Sequence, residues 1–281
     1  MRDNTDVSGN SGSITVASVN VNGIRAAARR GMNTWMAARR PDILCLQEVR
    51  ADDATLFGIM GEGWHGVHEE AVSAKGRAGV AVLSRVEPVA VRSGLGVFVS
   101  AGRWVEADFA LGGEPGLLTV ASVYVHTGEA DTPKQEEKYR FLAGIRERMN
   151  KLTADGRHLL VCGDFNIAHR EADLKNWKGN LKKSGFLPAE RAWMDSLFDE
   201  DGFVDTHRRL AGEGPGPYSW FSWRGRAWDT GAGWRIDYAI SSEPLSRLAV
   251  AAEVDRAATY AERWSDHSPV VVDFDPLGLR S

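Results

Sequence analysis

Six stretches of this sequence end, or begin, an apolar run with residues capable of polar chemistry. Asn20 and Asn22 close the run Ile14 to Val21, Gln47-Glu48 closes Ile43 to Leu46, and Tyr124 and His126 close Leu118 to Val125. Gly163-Asp164-Phe165-Asn166 follows His158 to Cys162, Asp237 lies within Trp234 to Tyr238, and Asp266-His267 precedes Val270 to Phe274. Each residue alone reads as a turn or cap residue. Together they supply oxygen ligands for a hard cation, a general base and a histidine, the inventory of a magnesium-dependent phosphoryl-transfer site. A phosphodiester repels nucleophiles with its own charge, so such a site needs a cation, a water and donors for the developing oxyanion.

These residues act together only if strands deliver them to one sheet edge. The β-rich runs Ile14 to Val21, Ile43 to Gln47, Val80 to Ser84, Leu118 to Val125, His158 to Cys162, Arg235 to Ile240 and Val270 to Phe274 predict strands. Helices are predicted over Arg25 to Arg40, over Pro133 to Leu152 and from Pro188 to Phe198. The second opens on Thr132-Pro133-Lys134-Gln135, a capping-box spacing with proline in the first turn, and its buried face is Tyr139, Leu142, Ile145, Met149 and Leu152. Residues 1–13, rich in Asp, Asn, Ser and Gly, predict a flexible tail, and residues 14–281 a single α/β domain. No internal repeat or linker divides the chain further.

Composition narrows the function. With 43% apolar and 26% charged residues the chain is an ordinary globular protein, and 34 basic against 38 acidic residues leave a net charge of −4. A nucleic-acid partner therefore needs a local basic strip. Cys45 and Cys162 sit in β-type runs and read as buried thiols of a reducing cytosol, and no stretch is long enough to cross a membrane. The expected location is cytoplasmic. Gly61-Glu62-Gly63-Trp64-His65-Gly66 matches the dinucleotide fingerprint by letter but lies between a helix-like and an extended segment, and so reads as a turn. Neither a Gly-Lys phosphate loop nor a Gly-x-Ser-x-Gly elbow is present.

Five segments occur in the order found in one family: Asn20-Val21-Asn22-Gly23-Ile24-Arg25, Leu46-Gln47-Glu48, Gly163 to His169, Trp234-Arg235-Ile236-Asp237-Tyr238 and Ser265-Asp266-His267-Ser268-Pro269. On these the sequence resembles the exonuclease III family of abasic-site endonucleases, within the endonuclease/exonuclease/phosphatase superfamily. The resemblance runs from Ile14 to Phe274. It implies a four-layer α/β sandwich, two mostly antiparallel sheets packed face to face between helices. It also implies Glu48 as principal ligand of Mg²⁺, with Mn²⁺ as a substitute, and Asn20 and Asp266 contributing nearby or through water. Asp164 is implied as the residue that orients and deprotonates water, and Asn166 and Tyr124 as contacts to the scissile phosphate. The resemblance further implies that His267, steadied by Asp237, stabilises charge on a phosphate oxygen. Either Asp164 or a Tyr124 phenolate could be the base. The family often has Pro-Asn where His126-Thr127 stands here.

Asp173-Leu174-Lys175-Asn176 through Lys178-Gly179-Asn180 resembles the DNA-repair branch specifically. Lys175, Lys178, Lys182 and Lys183 lie in a stretch without acids, which reads either as a solvated helix face or as a grip on DNA phosphates. Arg50, and Arg77 at a family phosphate-contact position, extend that footprint. Family matches put Trp220, Trp234 and Ile236 around a baseless sugar, with Arg224 and Arg226 on the loop between. The expected substrate is duplex DNA, abasic or blocked at its 3′ end, cut by a monomer without membrane contact. Two alternatives stand beside this: a phosphoesterase acting on lipid or inositol phosphates, and a non-catalytic DNA-damage binding module.

Overall fold

Long uninterrupted β-branched runs favour strands, and the computed structural model, which describes residues 13–72, 76–275 and 279, gathers them into two six-stranded sheets. The first contains β1 (Ile14–Asn20), β2 (Ile43–Gln47), β3 (His65–Glu69), β4 (Val80–Ser84), β11 (Ala249–Val254) and β12 (Val270–Phe274), ordered β11-β12-β1-β2-β4-β3. The second contains β5 (Ala90–Ser93), β6 (Trp104–Ala110), β7 (Leu117–Tyr124), β8 (His158–Asp164), β9 (Val204–Asp205) and β10 (Asp237–Ser241), ordered β5-β6-β7-β8-β10-β9. Each sheet has one parallel pair at its centre, β1 with β2 and β7 with β8, flanked by antiparallel strands. The helices are α1 (Ile24–Arg30), α2 (Met32–Arg39), α3 (Asp53–Met60), α4 (Pro133–Thr153), α5 (Pro188–Asp195), α6 (Thr206–Ala211), α7 (Ala227–Thr230) and α8 (Glu243–Ser246).

Three apolar layers hold these elements together. Val16, Cys45, Val82 and Val272 of the first sheet face Val105, Val120, Leu160 and Cys162 of the second. Ile24, Met32 and Leu56 cover the outer face of the first sheet on Val19, Leu44 and Leu83. Phe141, Leu142, Ile145, Met149 and Met194 cover the second on Leu159 and Val161. The expected helix–sheet–sheet–helix sandwich is observed.

Several boundaries differ from the sequence reading. The helix expected over Arg25 to Arg40 divides at Gly31, whose φ of +125° ends α1 and starts α2. The helix from Pro188 stops at Asp195 and continues as a wider π-helical turn, Ser196–Glu200. Thr132 caps α4 through Lys134 N, but Gln135 turns inward to Glu190 instead of closing a capping box. The strand expected from Arg235 starts only at Asp237, because Trp234 pairs with Trp220 and Arg235 N donates to Asp173 O. Strand β6 is masked in the sequence by Glu106 and Asp108, buried carboxylates neutralised by Arg92, Arg148 and Arg157. Residues 1–12 of the expected tail lie outside the described residues.

Gly163 of β8 pairs with Val123 of β7. A Cβ there would lie 2.0 Å from the carbonyl oxygen of Val123, and φ is +149°. Gly163→Ala is therefore expected to cost about 2 kcal/mol or more, read as a lower urea midpoint; an unchanged midpoint would show that β7 and β8 have slack at this point.

Candidate active site

The two parallel pairs run so that β1, β2, β7 and β8 finish at the same end of the sandwich, carrying Asn20, Glu48, Tyr124 and Asp164 with them. Antiparallel β10 begins there with Asp237 opposite Asp164, and the turn before β12 adds Asp266 and His267. The backbone leaving these strands is strained. Asn22, Glu48, Arg50 and Asn166 all have φ between 47° and 52°, the left-handed region that costs a non-glycine residue about 1–2 kcal/mol. Such conformations persist where surrounding bonds dictate them.

Those bonds are explicit. Asn20 Nδ2 donates to Glu48 Oε1 and to Asp164 Oδ2, both at 2.9 Å, while its Oδ1 accepts from Asn22 N at 3.0 Å. Through Nδ2, Asn20 holds Glu48 and Asp164 in place, while its Oδ1, which accepts one bond from Asn22 N, keeps a lone pair on the side of the cleft chemistry. Asn166 N donates to Asp164 Oδ1 at 2.9 Å, and its Nδ2 to Asp164 Oδ2 and Val125 O. His267 Nδ1 lies 2.8 Å from Asp237 Oδ2, and its Nε2 lies 3.8 Å from Asp164 Oδ2. Ser219 Oγ donates to Asp237 Oδ2 at 2.6 Å. Asp266 accepts from Asn22 Nδ2 at 2.9 Å and Trp220 Nε1 at 3.1 Å, and Arg50 pairs with Glu48.

Burial sets the charge balance. Asp164 is raised well above the usual carboxylate range, first by burial and then by Asp237 and Glu48, with His267 and the Asn20 bond opposing. His267 is pulled down by burial but raised further by Asp237 and Asp164, so it stays protonated beyond neutral pH. Burial, Glu48 and Asp164 also push the Tyr124 phenol up, which disfavours a phenolate. Asp266 is lowered, since His267, Trp220 and Asn22 outweigh its burial. Asp164, Asp237 and His267 offer ligand atoms within 4.8 Å of one another. A cation among them would displace the His267–Asp237 bond. Glu48 and Asp266 add oxygen donors to the same cleft, and an oxygen-rich set crowded enough to raise Asp164 fits a hard divalent ion.

Beside these groups opens a cleft of 360 Å³ walled by Trp220, Trp234 and Ile236 and bordered by Asn180, Lys183 and Gly185. The two indoles meet edge to face at 6.4 Å. The lysine segment is no helix face: two 3-10 turns, Glu171–Asp173 and Trp177–Asn180, leave Lys175, Asn176, Lys178, Lys182 and Lys183 exposed. Lys175 bonds Thr230 O, Lys178 lies over Trp177, and Asn180 Nδ2 bonds Asn176 O. Arg50 and Arg77 line a second groove that also touches Glu48. Arg224 and Arg226 are exposed and outside the lining of the cleft.

Residues 17–267 match the Endonuclease/Exonuclease/phosphatase family. The chain belongs to that family. It is 34% identical over 255 residues to an exodeoxyribonuclease of Bacillus subtilis, covering 89% of this chain and 95% of the relative. Among solved structures it is similar to the 3′ phosphatase NExo from Neisseria bound to a product DNA hairpin, with 31% identity, a TM-score of 0.81 and coverage of 93% and 99%. An AP endonuclease from Archaeoglobus fulgidus gives 27% identity, a TM-score of 0.81 and the same coverages. The resemblance to the exonuclease III family is thereby borne out.

Some residues at this family's site carry no sequence signal of their own. Ser219 belongs to no motif; Thr127, legible only as part of the His126-Thr127 departure, donates through Oγ1 to Asn166 Oδ1 at 3.2 Å. Lys138 is fully buried, donating to Asn166 O at 2.9 Å and to Glu190 Oε1 at 2.5 Å. Its signal is a lysine on the apolar stripe of α4, four residues before Leu142. The dyad gives a pH expectation. Asp237→Asn removes an anion that raises His267, so the imidazole should titrate at lower pH by NMR; an unmoved titration would separate Asp237 from the charge of His267.

Proposed function

We propose that this chain is a divalent-metal-dependent DNA-repair nuclease that hydrolyses phosphodiesters 5′ to abasic sites and removes nucleotides or blocking groups from the 3′ ends of duplex DNA. The observation that carries the reading is the buried Asp164–His267–Asp237 line opening into a cleft walled by Trp220, Trp234 and Ile236. Relatives named for exonuclease, 3′ phosphatase and AP endonuclease activities support it. The lysine segment and Arg77 favour DNA over a lipid or inositol phosphate, and the complete acid–histidine set favours an enzyme over a binding module. No helix among the described residues is long and apolar enough to cross a membrane. A cytoplasmic monomer is the state proposed.

In this reading Glu48 would be the principal holder of Mg²⁺, or of Mn²⁺ in its place, with Asn20 and Asp266 nearby or through water, and the ion would supply positive charge against the phosphate oxygens. Asp164 orients the attacking water and takes its proton. It is better suited than Tyr124, because the phenol holds its proton far more tightly while a raised carboxyl still exchanges one near neutrality. Protonated His267 faces the phosphate through Nε2 and stabilises charge on its oxygen, its ring fixed by Asp237. Tyr124 donates to the same phosphate, and Asn166 does so by exchanging one of its Nδ2 bonds, to Asp164 Oδ2 or Val125 O, for the phosphate oxygen. The indoles of Trp220 and Trp234 accept a baseless sugar and exclude an intact nucleotide by size. Arg224 and Arg226 reach DNA outside the cleft.

A labelled duplex bearing one abasic analogue tests this directly. Chelation should abolish incision and Mg²⁺ restore it. Asp164→Asn should lower turnover by ~10²–10⁴-fold; full activity in that variant would remove Asp164 from the chemistry. Neutralising Lys175, Lys178, Lys182 and Lys183 together should flatten the salt dependence of DNA affinity, by at most ~0.9 in slope for each phosphate no longer neutralised. An unchanged slope would return the segment to an ordinary solvated surface.

A further inference from the structure

The stretch Ser219-Trp220-Phe221 lies between two segments that make the site: Trp220 is bridged antiparallel to Trp234 on one side and to His267 on the other. Towards the catalytic turn the bonds are Ser268 N to Ser219 O at 2.7 Å and Phe221 N to Asp266 O at 3.0 Å. Side chains add to them, Trp220 Nε1 donating to Asp266 Oδ2 and Ser219 Oγ to Asp237 Oδ2. A shift of this stretch would move a wall of the cleft together with anchors of Asp266 and Asp237. So short a bridge holds its register only with outside support.

Arg263 supplies that support at the Phe221 end. Its Nη2 donates to Phe221 O and, at 3.4 Å, to Asp266 O, so one guanidinium nitrogen spans both chains of the bridge. Arg263 is only 5% exposed, its Nε and Nη1 have no hydrogen-bond partner, and no carboxylate pairs with it among the described residues. Aromatic faces stand where an acid would: the guanidinium carbon lies 4.1 Å from the ring centroid of Trp223, 4.6 Å from that of Trp228 and 5.3 Å from that of Tyr260. Arg256 backs the same stack at 4.2 Å from Trp228 and 4.4 Å from Phe221, with Nη2 on Trp228 O at 2.9 Å. Burying a cation without an anion is costly, and an apolar side chain of similar volume would avoid the cost. What the guanidinium adds at this point is its grip on the two carbonyls.

We propose that Arg263 is a positioning residue for damage selectivity: through Phe221 O and Asp266 O it locks the bridge that sets Trp220 against the cleft, without itself touching substrate or metal. The inference rests on the reading that the cleft takes a baseless sugar. Released from this clamp, Trp220 gives room to an intact nucleotide, so discrimination falls further than cleavage itself.

In the full chain, Arg263→Met keeps an unbranched side chain and removes its donors, whereas Arg263→Lys keeps the cation and one donor group. Fluorine NMR of protein labelled with fluorotryptophan reports on Trp220, its signal assigned through Trp220→Phe; Trp220 makes no ring contact with Arg263, so a change there must travel through the bridge. Alongside it, kcat/KM with Mg²⁺ is measured for incision at an abasic analogue and for removal of an intact 3′ nucleotide. Arg263→Met should shift or broaden the Trp220 signal and lower the ratio of the two kcat/KM values at least about fivefold, and Arg263→Lys should fall between it and the wild type on both readouts. Thermal melting identifies a variant that merely unfolds; if Arg263→Met does, the comparison of Arg263→Lys with wild type carries the test. An unmoved Trp220 signal in a folded variant, or equal loss on both substrates, would overturn the clamp. If the wild-type chain cleaves neither substrate with a divalent metal, the nuclease reading falls, while a displaced Trp220 signal in the variants would still uphold the clamp on that wall.

Discussion

At the functional end one side-chain amide bonds a carboxylate of each sheet. Asn20, the last residue of a strand in the first sheet, donates to Glu48 within its own sheet and across the interface to Asp164 in the second. Two carboxylates that would repel each other are held by one neutral amide. Everything around it conforms: Asn22 turns left-handed so that its N–H can close on Asn20 Oδ1, and Ser265 Oγ bonds the Asn20 carbonyl and so ties in the turn that carries His267. The inter-sheet apolar layer sets the distance across which that amide must reach.

The second constraint is charge in a dry place. Asp164, Asp237 and His267 are buried together, so the protons of Asp164 and His267 are placed by their neighbours and not by bulk solvent. One cationic imidazole between two acids is a nearly balanced unit, and Glu48 and Asp266 add negative charge that a divalent ion suits. Beneath the same floor Lys138 and Glu190 form a buried pair that fastens Asn166 O on one side and Gly185 N and Leu187 N on the other. Such a pair adds little net stability. Its geometric role is to hold the left-handed Asn166 turn against the loop that borders the cleft.

Much of this is legible in the chain. Strand ends loaded with amides and carboxylates require a common edge, and a four-layer sandwich supplies one. Residues whose signal is local, such as Asp164 after Gly163, can be read; those whose meaning is purely tertiary cannot. Ser219 is informative only because β10 brings Asp237 to it, and β6 is obscured because Glu106 and Asp108 break its alternation while arginines from other elements neutralise them. The side of the Asn20 amide that faces Glu48 is likewise fixed by Asn22, 2 residues away in sequence but oriented by the fold. Gly31 divides a continuous helical pattern because periodicity registers faces and not a φ of +125°.

Strand order has a consequence for how the molecule comes into being. The second sheet is drawn from one continuous stretch, β5 to β10, whereas the first is begun by β1 to β4 and finished by β11 and β12. Chains emerge from the ribosome in sequence order and domains fold as units. β12 must slot between β11 and β1, and the turn just before it brings Asp266 and His267. Until that last hairpin is made, the nascent polypeptide has Asp164 but no histidine beside it, and an open edge on β1. A hydrolase assembled this way stays unarmed during its own synthesis and acquires its chemistry in the same event that closes its first sheet.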